Sequence, residues 1–162
     1  MKYVLVCLLV LLSSDARAGK SGSDNHIINH PFTVAATTLA YVSVDSLTPT
    51  RYKWISASTF TSLTLVGDWL TTLDINRNND KGYKEAGWAS LFIGADPSRN
   101  SINRYFAVNI ALVWAGNWMI DQIPNVTVKS WVRNTANITL SVLETSSTAH
   151  NISVGLSLTR EF

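Results

Sequence analysis

The amino-acid sequence predicts an all-β fold, a single-domain antiparallel β-sandwich of the immunoglobulin-like, Greek-key or jelly-roll type, with a small β-barrel as the alternative. Two observations lead to this prediction. Apolar residues alternate with polar ones at a period of two in several segments, and short polar stretches separate those segments. Because successive side chains of a strand point to opposite faces of a sheet, such alternation indicates strands with one buried face.

The N-terminus has the features of a cleaved signal peptide. Lys2 provides a positive charge, residues 3–12 form an apolar run, and a small-x-small motif ends at Ala18. The predicted organisation is a signal peptide over residues 1–18, a flexible segment over residues 19–31 and a β-sandwich domain over residues 32–162. This organisation predicts a secreted protein, either extracellular or periplasmic.

Removal of the predicted leader changes the composition. The single cysteine, Cys7, lies in the leader, so the mature chain has no disulfide and no thiolate metal site. Taking Lys2, Arg17 and Asp15 from the 13 basic and 11 acidic residues leaves 11 and 10, a net charge near +1. Such a balance gives no electrostatic basis for binding nucleic acid.

Three strands are predicted in the first part of the domain. Residues 32–44 place Phe32, Val34 and Val42 on one side of an alternating segment, and residues 63–73 alternate in the same way. Residues 88–93 are apolar on both faces, which is typical of a central strand.

The C-terminal part shows the clearest alternation. Three strands are predicted within residues 125–132, 137–144 and 151–159, with inward residues such as Val128, Ile138 and Val154. Regular short strands with polar turns favour a meander or a Greek key.

Residues 105–120 allow two interpretations. Alternate residues are apolar, and Gly116-Asn117 would suit a two-residue hairpin turn. A buried helix is the alternative, because a nearly continuous apolar run hides the period. A membrane span is disfavoured by the short length and by Asn109.

A polar loop follows the second predicted strand. Residues 74–85 resemble the twelve-residue calcium loop of EF-hands, and the resemblance implies oxygen ligands from Asp74, Asn76, Asn78, Asp80 and Glu85. The loop lacks the glycine usual at its sixth position, and its flanks are predicted as strands rather than helices. We favour a hairpin turn, since Asn, Asp and Gly are turn-forming residues, and keep calcium as the alternative.

Tryptophan is abundant, with six residues in the chain. Trp69 and Trp88 occupy inward positions of predicted strands. Trp131 lies opposite the apolar face of its strand, and Trp54 lies among basic and aromatic neighbours. Because exposed Trp rings stack on ligands, Trp54 and Trp131 are the candidate ligand-binding residues.

Catalytic motifs are missing from the sequence. The chain has no nucleophile elbow, zinc-protease, P-loop or dinucleotide motif, so the prediction is a non-catalytic protein with no catalytic residue. The alternative is an enzyme in which dispersed carboxylates form a pair for glycoside hydrolysis. Asn125, Asn137 and Asn151 each begin an N-x-[ST] sequon, and the sequence alone leaves their glycosylation open.

These observations predict a structural or adhesion subunit at the cell surface, whose partners are other protein subunits. A bacterial version would resemble a fimbrial subunit that assembles by strand donation, a resemblance of architecture rather than of motif. The alternative is a lectin-like module that binds surface glycans, with calcium as a possible cofactor. A third hypothesis is a membrane-active protein that uses the apolar residues 105–120, with no transmembrane span in the mature chain.

Overall fold

The computed structural model of this chain describes residues 19–20, 31–78, 83–84 and 90–153 and is helical through most of them. The helices are α1 (Pro31–Leu47), a 3-10 turn (Thr50–Tyr52), α2 (Lys53–Arg77), α3 (Ser90–Ile93), α4 (Arg99–Asp121) and α5 (Val126–Ser153). Two-residue strands β1 (Gly19–Lys20) and β2 (Tyr83–Lys84) pair antiparallel, with Gly19 opposite Lys84.

The predicted β-sandwich is therefore wrong, and so is its small-barrel alternative. The segments predicted as strands at residues 32–44, 63–73 and 137–144 lie in α1, α2 and α5. The segment predicted at residues 125–132 also lies in α5, except for Asn125, which directly precedes the helix. Residues 105–120 lie within α4, so the hairpin interpretation of that segment is wrong and the helix of the alternative is confirmed. The helix is not buried as that alternative expected, because eight of its residues within 107–119 are exposed. Of the predicted strands at residues 88–93 and 151–159, Ser90–Ile93 and Asn151–Ser153 are helical, and residues 88–89 and 154–159 lie outside the described residues.

The four long helices form a bundle with two central and two outer members. α2 and α5 run parallel and pack along each other, since Thr61 contacts Asn137 and Asn151 contacts Asp68. α1 packs antiparallel on α5 and α2, and α4 packs antiparallel mainly on α2. Within the described residues α1 and α4 do not contact each other, so they occupy opposite corners of the bundle.

Two apolar clusters lie inside the bundle. The first joins α1, α2 and α5 and the second joins α2 and α4. Their buried members are Val34, Tyr41, Ala57, Ile138 and Val142 in the first cluster, and Leu65, Ile102 and Phe106 in the second. Together they hold both outer helices onto the central pair.

Polar side chains fill the space between the two clusters. Thr61 Oγ1 donates to Asn137 Oδ1 at 2.8 Å, and Ser141 Oγ donates to Thr61 Oγ1 at 3.2 Å. Ten residues further along both helices, which is nearly three turns, Asn151 Nδ2 donates to Thr71 Oγ1 at 2.9 Å. Because buried polar groups are costly unless hydrogen-bonded, these bonds fix the register of α2 against α5.

Side-chain caps mark the starts of two helices. Ser98 Oγ accepts from Ser101 N at 3.2 Å at the start of α4, and Asn125 Oδ1 accepts from Val128 N at 3.0 Å at the start of α5. Each bond satisfies one of the amide groups that a helix N-terminus leaves without an intrahelical partner. Because α4 runs antiparallel to α2, the α4–α5 connection lies at the same end of the bundle as the α1–α2 connection.

Candidate functional site

The outer surface of α4 is apolar for more than three turns. Every exposed residue of this helix from position 107 to position 119 is apolar. These residues, which we call the apolar stripe, are Ala107, Val108, Ala111, Leu112, Trp114, Ala115, Trp118 and Met119. At 1.5 Å per residue the stripe is about 18 Å long.

The polar residues of the same segment point the other way. Asn117 is 3% exposed and bonds to Asn137 in α5, while Asn109 is half-buried and donates to the Tyr105 carbonyl at 3.0 Å. α4 therefore keeps apolar contacts with the core through residues such as Phe106, Ile110 and Val113, and carries a second apolar face toward solvent. An ordinary surface helix has charged or polar residues on that outer face. An exposed contiguous apolar surface of this kind marks an interaction site.

Tryptophans lie at one end of the apolar stripe. Trp118 is 56% exposed, and Trp114 lies one turn before it, with its Nε1 donating to Ser62 Oγ of α2 at 3.1 Å. The Trp114 ring stands edge-on to the ring of Trp54 at 6.1 Å between centroids. Trp54 is thus half-buried at the rim of the stripe.

The other tryptophans lie elsewhere. Trp131 is exposed near the start of α5, so the two candidate ligand-binding residues, Trp54 and Trp131, are on different helices. Their role in ligand binding stays a prediction. Trp69 stacks on Phe106 and donates to Asn103 Oδ1 at 3.0 Å, which matches its expected inward position. Trp88 lies outside the described residues.

Aromatic residues and a cation lie at the opposite end of the stripe. Phe92 of α3 is 72% exposed and stacks on Tyr105 at 5.9 Å between centroids. Phe92, Tyr105 and Val108 line a groove of about 600 Å³ that also contains Arg104. Arg104 is exposed and makes no ion pair with another described residue.

A narrower cleft separates α4 from α5. It has a volume of about 180 Å³ and is lined by apolar side chains such as Leu65, Val113 and Leu140, with the Asn117–Asn137 pair in its wall. Leu112 and Asn109 line both this cleft and the groove beside Arg104, so the two spaces adjoin along one side of α4.

Charged residues gather at the end of the bundle where α2 and α5 begin. Lys53 Nζ lies 2.8 Å from Asp45, and Lys129 Nζ lies 3.5 Å from Asp121. The buried Arg133 guanidinium lies between the two carboxylates, 3.9 Å from Asp45 and 4.0 Å from Asp121. This network joins α1, α2, α4 and α5. None of its charged residues belongs to the apolar stripe.

The residues predicted as calcium ligands are only partly described. Asp74 and Asn76 lie in the last turn of α2, where Asn76 Nδ2 donates to the Pro97 carbonyl at 2.7 Å. Asn78 ends that helix, and Asp80 and Glu85 lie outside the described residues. No group of three or more acidic, His or Cys side chains in the described part of the chain is placed to hold a metal ion. Calcium binding by the complete loop stays a prediction.

The three sequons differ in accessibility. Asn125 is exposed at the start of α5, whereas the side chains of Asn137 and Asn151 are buried and hydrogen-bonded. A glycan on either buried residue is incompatible with this packing. His150 lies buried in α5.

Sequence reasoning missed the apolar stripe, although a signal for it was present. The stripe residues recur at spacings of three, four, seven and eight positions, which is the spacing of one helix face. Val108, Ile110, Leu112 and Trp114 also satisfy a period of two, which favours the strand prediction. In the structure Val108, Leu112 and Trp114 are exposed and Ile110 packs against the core.

No described helix has both the length and the apolar character needed to cross a membrane. The chain matches no protein-family model, and neither a curated protein nor a solved structure is detectably similar to it.

Proposed function

We propose that this protein binds the surface of a lipid bilayer through the apolar stripe of α4. The observation that carries this proposal is the uniform apolar character of every exposed α4 residue from position 107 to position 119. The helical fold overturns the β-sandwich on which the adhesion-subunit and lectin predictions depended, so neither is retained. Export through the predicted leader is part of the proposal, since it would give the stripe access to a membrane from outside the cytoplasm.

The composition of the stripe supports a membrane interface. Interfacial helices carry Trp, Phe and Leu on the face that enters the lipid, and the helix lies in the plane of the surface. Trp114 and Trp118 lie at one end of the stripe, and Phe92 lies beside the other. Their rings are suited to the headgroup region, where aromatic side chains concentrate.

The exposed area supplies enough driving force. Full burial of a large apolar side chain contributes about 1.5–3 kcal/mol, and Leu112, Trp118 and Met119 are each more than half exposed. Insertion of these three residues alone gives several kcal/mol. Arg104 adds about 1 kcal/mol when the lipid is anionic, because it lies next to the stripe.

Binding to vesicles tests the proposal. The full chain without its leader is mixed with vesicles of phosphatidylcholine, or of phosphatidylcholine with phosphatidylglycerol, and the bound fraction is measured by flotation. We expect binding, a blue shift of the Trp emission, and an affinity reduced by about tenfold or more in the Trp118→Ser/Met119→Ser variant.

A matched control uses the opposite outer helix. Leu39 of α1 is 68% exposed on the other side of the bundle, so Leu39→Ser removes exposed apolar area without touching the stripe. This variant should bind vesicles like the parent protein. The proposal is wrong if Leu39→Ser weakens binding as much as the α4 variant. It is also wrong if the protein does not bind vesicles. Dissociation of a dimer by the α4 substitutions would then identify the stripe as an interface between two copies of the chain.

A further inference from the structure

The cleft between α4 and α5 has the shape of a slot. Its α4 lining extends from Asn109 to Ile120 and its α5 lining from Ala136 to Glu144. These spans correspond to about 16 Å and about 12 Å of helix at 1.5 Å per residue. A cavity of about 150 Å³ with apolar walls is large enough to hold benzene, and this one has about 180 Å³ in an elongated form. Such a space fits a linear chain better than a compact ring.

Gly116 keeps the slot open. A Cβ added at this position would meet nothing within 4 Å, so no close helix contact explains the glycine. Gly67 in α2 differs, because its Cβ would lie 3.3 Å from Thr148 Oγ1 of α5. A glycine in a helix interior costs about 1 kcal/mol relative to alanine. At Gly116 no close contact requires a glycine, and the missing side chain leaves empty space along the wall of the cleft.

The slot continues into a space with a positive charge. Asn109 and Leu112 line both the cleft and the groove between α3 and α4 that contains Arg104. The guanidinium group presents donors suited to a carboxylate or a phosphate. An apolar slot that adjoins an arginine is the arrangement that a single-chain anionic amphiphile requires.

We propose that the α4–α5 cleft binds one alkyl chain of an anionic amphiphile, with the head group at Arg104. The ligand is either a free fatty acid or a lysophospholipid, which share this chemistry. The site adjoins the proposed bilayer contact and shares Leu112 with it. Gly116 and Ala136 line the cleft and do not belong to the apolar stripe, so substitutions there test the cleft alone.

Calorimetric titration with decanoate, and in a second arm with lysophosphatidylglycerol, each below its micelle concentration, tests the site. We expect one ligand per chain. Gly116→Leu fills the slot and should weaken binding at least about tenfold. Arg104→Gln should weaken decanoate but not decanol, since the alcohol has no charge for the guanidinium group. Binding of decanoate identifies a free fatty acid, and binding of the lysolipid alone identifies a lipid source.

Two controls separate this site from the stripe and from misfolding. Trp118→Ser should leave the amphiphile affinity unchanged while it weakens vesicle binding, so the two proposals fail independently. Ala136→Phe blocks the slot from α5 and replaces Gly116→Leu if that variant does not fold. The proposal is overturned if the slot-filling variant binds like the parent, if many ligands bind per chain, or if neither amphiphile binds.

Discussion

Asn117 of α4 and Asn137 of α5 exchange two side-chain hydrogen bonds. Asn137 Nδ2 donates to Asn117 Oδ1 at 2.7 Å, and Asn117 Nδ2 donates to Asn137 Oδ1 at 3.0 Å. Their remaining amide hydrogens go to the Val113 and Arg133 carbonyls, and Thr61 also donates to Asn137. Both amides are almost fully buried, so this pair ties α4 to α5 in a region where a cleft otherwise separates the two helices.

The losses of stability from replacing the two members of this pair should not be additive. Asn137→Leu leaves the Asn117 amide and the Thr61 hydroxyl without their partner, and a buried unsatisfied group costs about 1–3 kcal/mol. We expect a loss of about 2–4 kcal/mol in the free energy of unfolding. The Asn117→Leu/Asn137→Leu double variant should lose less than the sum of the two single variants. Urea denaturation of all four proteins in a double-mutant cycle measures the coupling.

The exposed Asn100 provides a comparison for that cycle. Asn100→Leu should change the free energy of unfolding by less than about 0.5 kcal/mol, since it breaks no bond of the pair. Additive losses at Asn117 and Asn137 would contradict the assigned pairing.

Polar residues in the buried faces of the helices explain why the sequence predicted the wrong fold. In α1 the buried face consists of Val34, Thr37, Thr38 and Tyr41, which have helical spacing. Two of these four residues are threonines, so a search for apolar periodicity counts only Val34 and Tyr41 and misses the face. The abundant Val, Ile and Thr favour strands intrinsically, yet tertiary packing overrides that preference.

α5 shows the same effect more strongly. Its buried residues recur in pairs four apart, and polar and apolar members are mixed. They include Arg133, Asn134, Asn137, Ile138, Ser141 and Val142. The helical period appears only when Asn, Ser and Thr are counted among the core residues. The hydrogen-bond partners that make those residues suitable for a core come from α1, α2 and α4, which local sequence cannot supply.

Glycosylation should be confined to Asn125 in the folded protein. When the chain is secreted from a glycosylating host, we expect at most one N-linked glycan, detected as a mass shift removed by an N-glycosidase. The Asn125→Asp variant should lose the shift and keep the fold, because aspartate also caps a helix N-terminus. The glycan attaches to Nδ2, so Oδ1 can still accept from Val128 N.

The buried sequons give the opposite expectation. Asn137→Gln and Asn151→Gln should leave the glycan mass unchanged while both reduce stability, since each asparagine makes buried hydrogen bonds. A folded, secreted protein with a glycan at Asn137 would contradict the packing of α4 against α5.

The two helix-interior glycines should respond differently to alanine. Gly116→Ala should raise the free energy of unfolding by about 1 kcal/mol, because the methyl group meets no neighbour and the unfolded chain loses freedom. Gly67→Ala should gain less or lose stability, because its Cβ approaches Thr148 Oγ1. Adding Thr148→Ala should restore the gain at position 67. Thermal and urea unfolding of the set measure this, and equal responses at both glycines would contradict the α2–α5 contact.

Because Arg133 lies between two carboxylates, removal of its charge should cost less stability than removal of both carboxylates. Arg133→Met leaves Asp45 with Lys53 and Asp121 with Lys129, so we expect a loss of only about 1 kcal/mol. Asp45→Asn/Asp121→Asn removes both carboxylates that lie near the buried guanidinium group. This variant should lose about 3 kcal/mol, because an uncompensated buried charge is costly.

Combining these changes makes the test specific. Arg133→Met added to the Asp45→Asn/Asp121→Asn variant removes the uncompensated charge and should recover part of the lost stability. Lys129→Met is the matched control, since its side chain is half-exposed and its pairing with Asp121 should contribute less than about 1 kcal/mol. Urea denaturation gives each value. If Arg133→Met destabilises more than removal of both carboxylates, Arg133 stabilises the bundle through packing rather than through its charge.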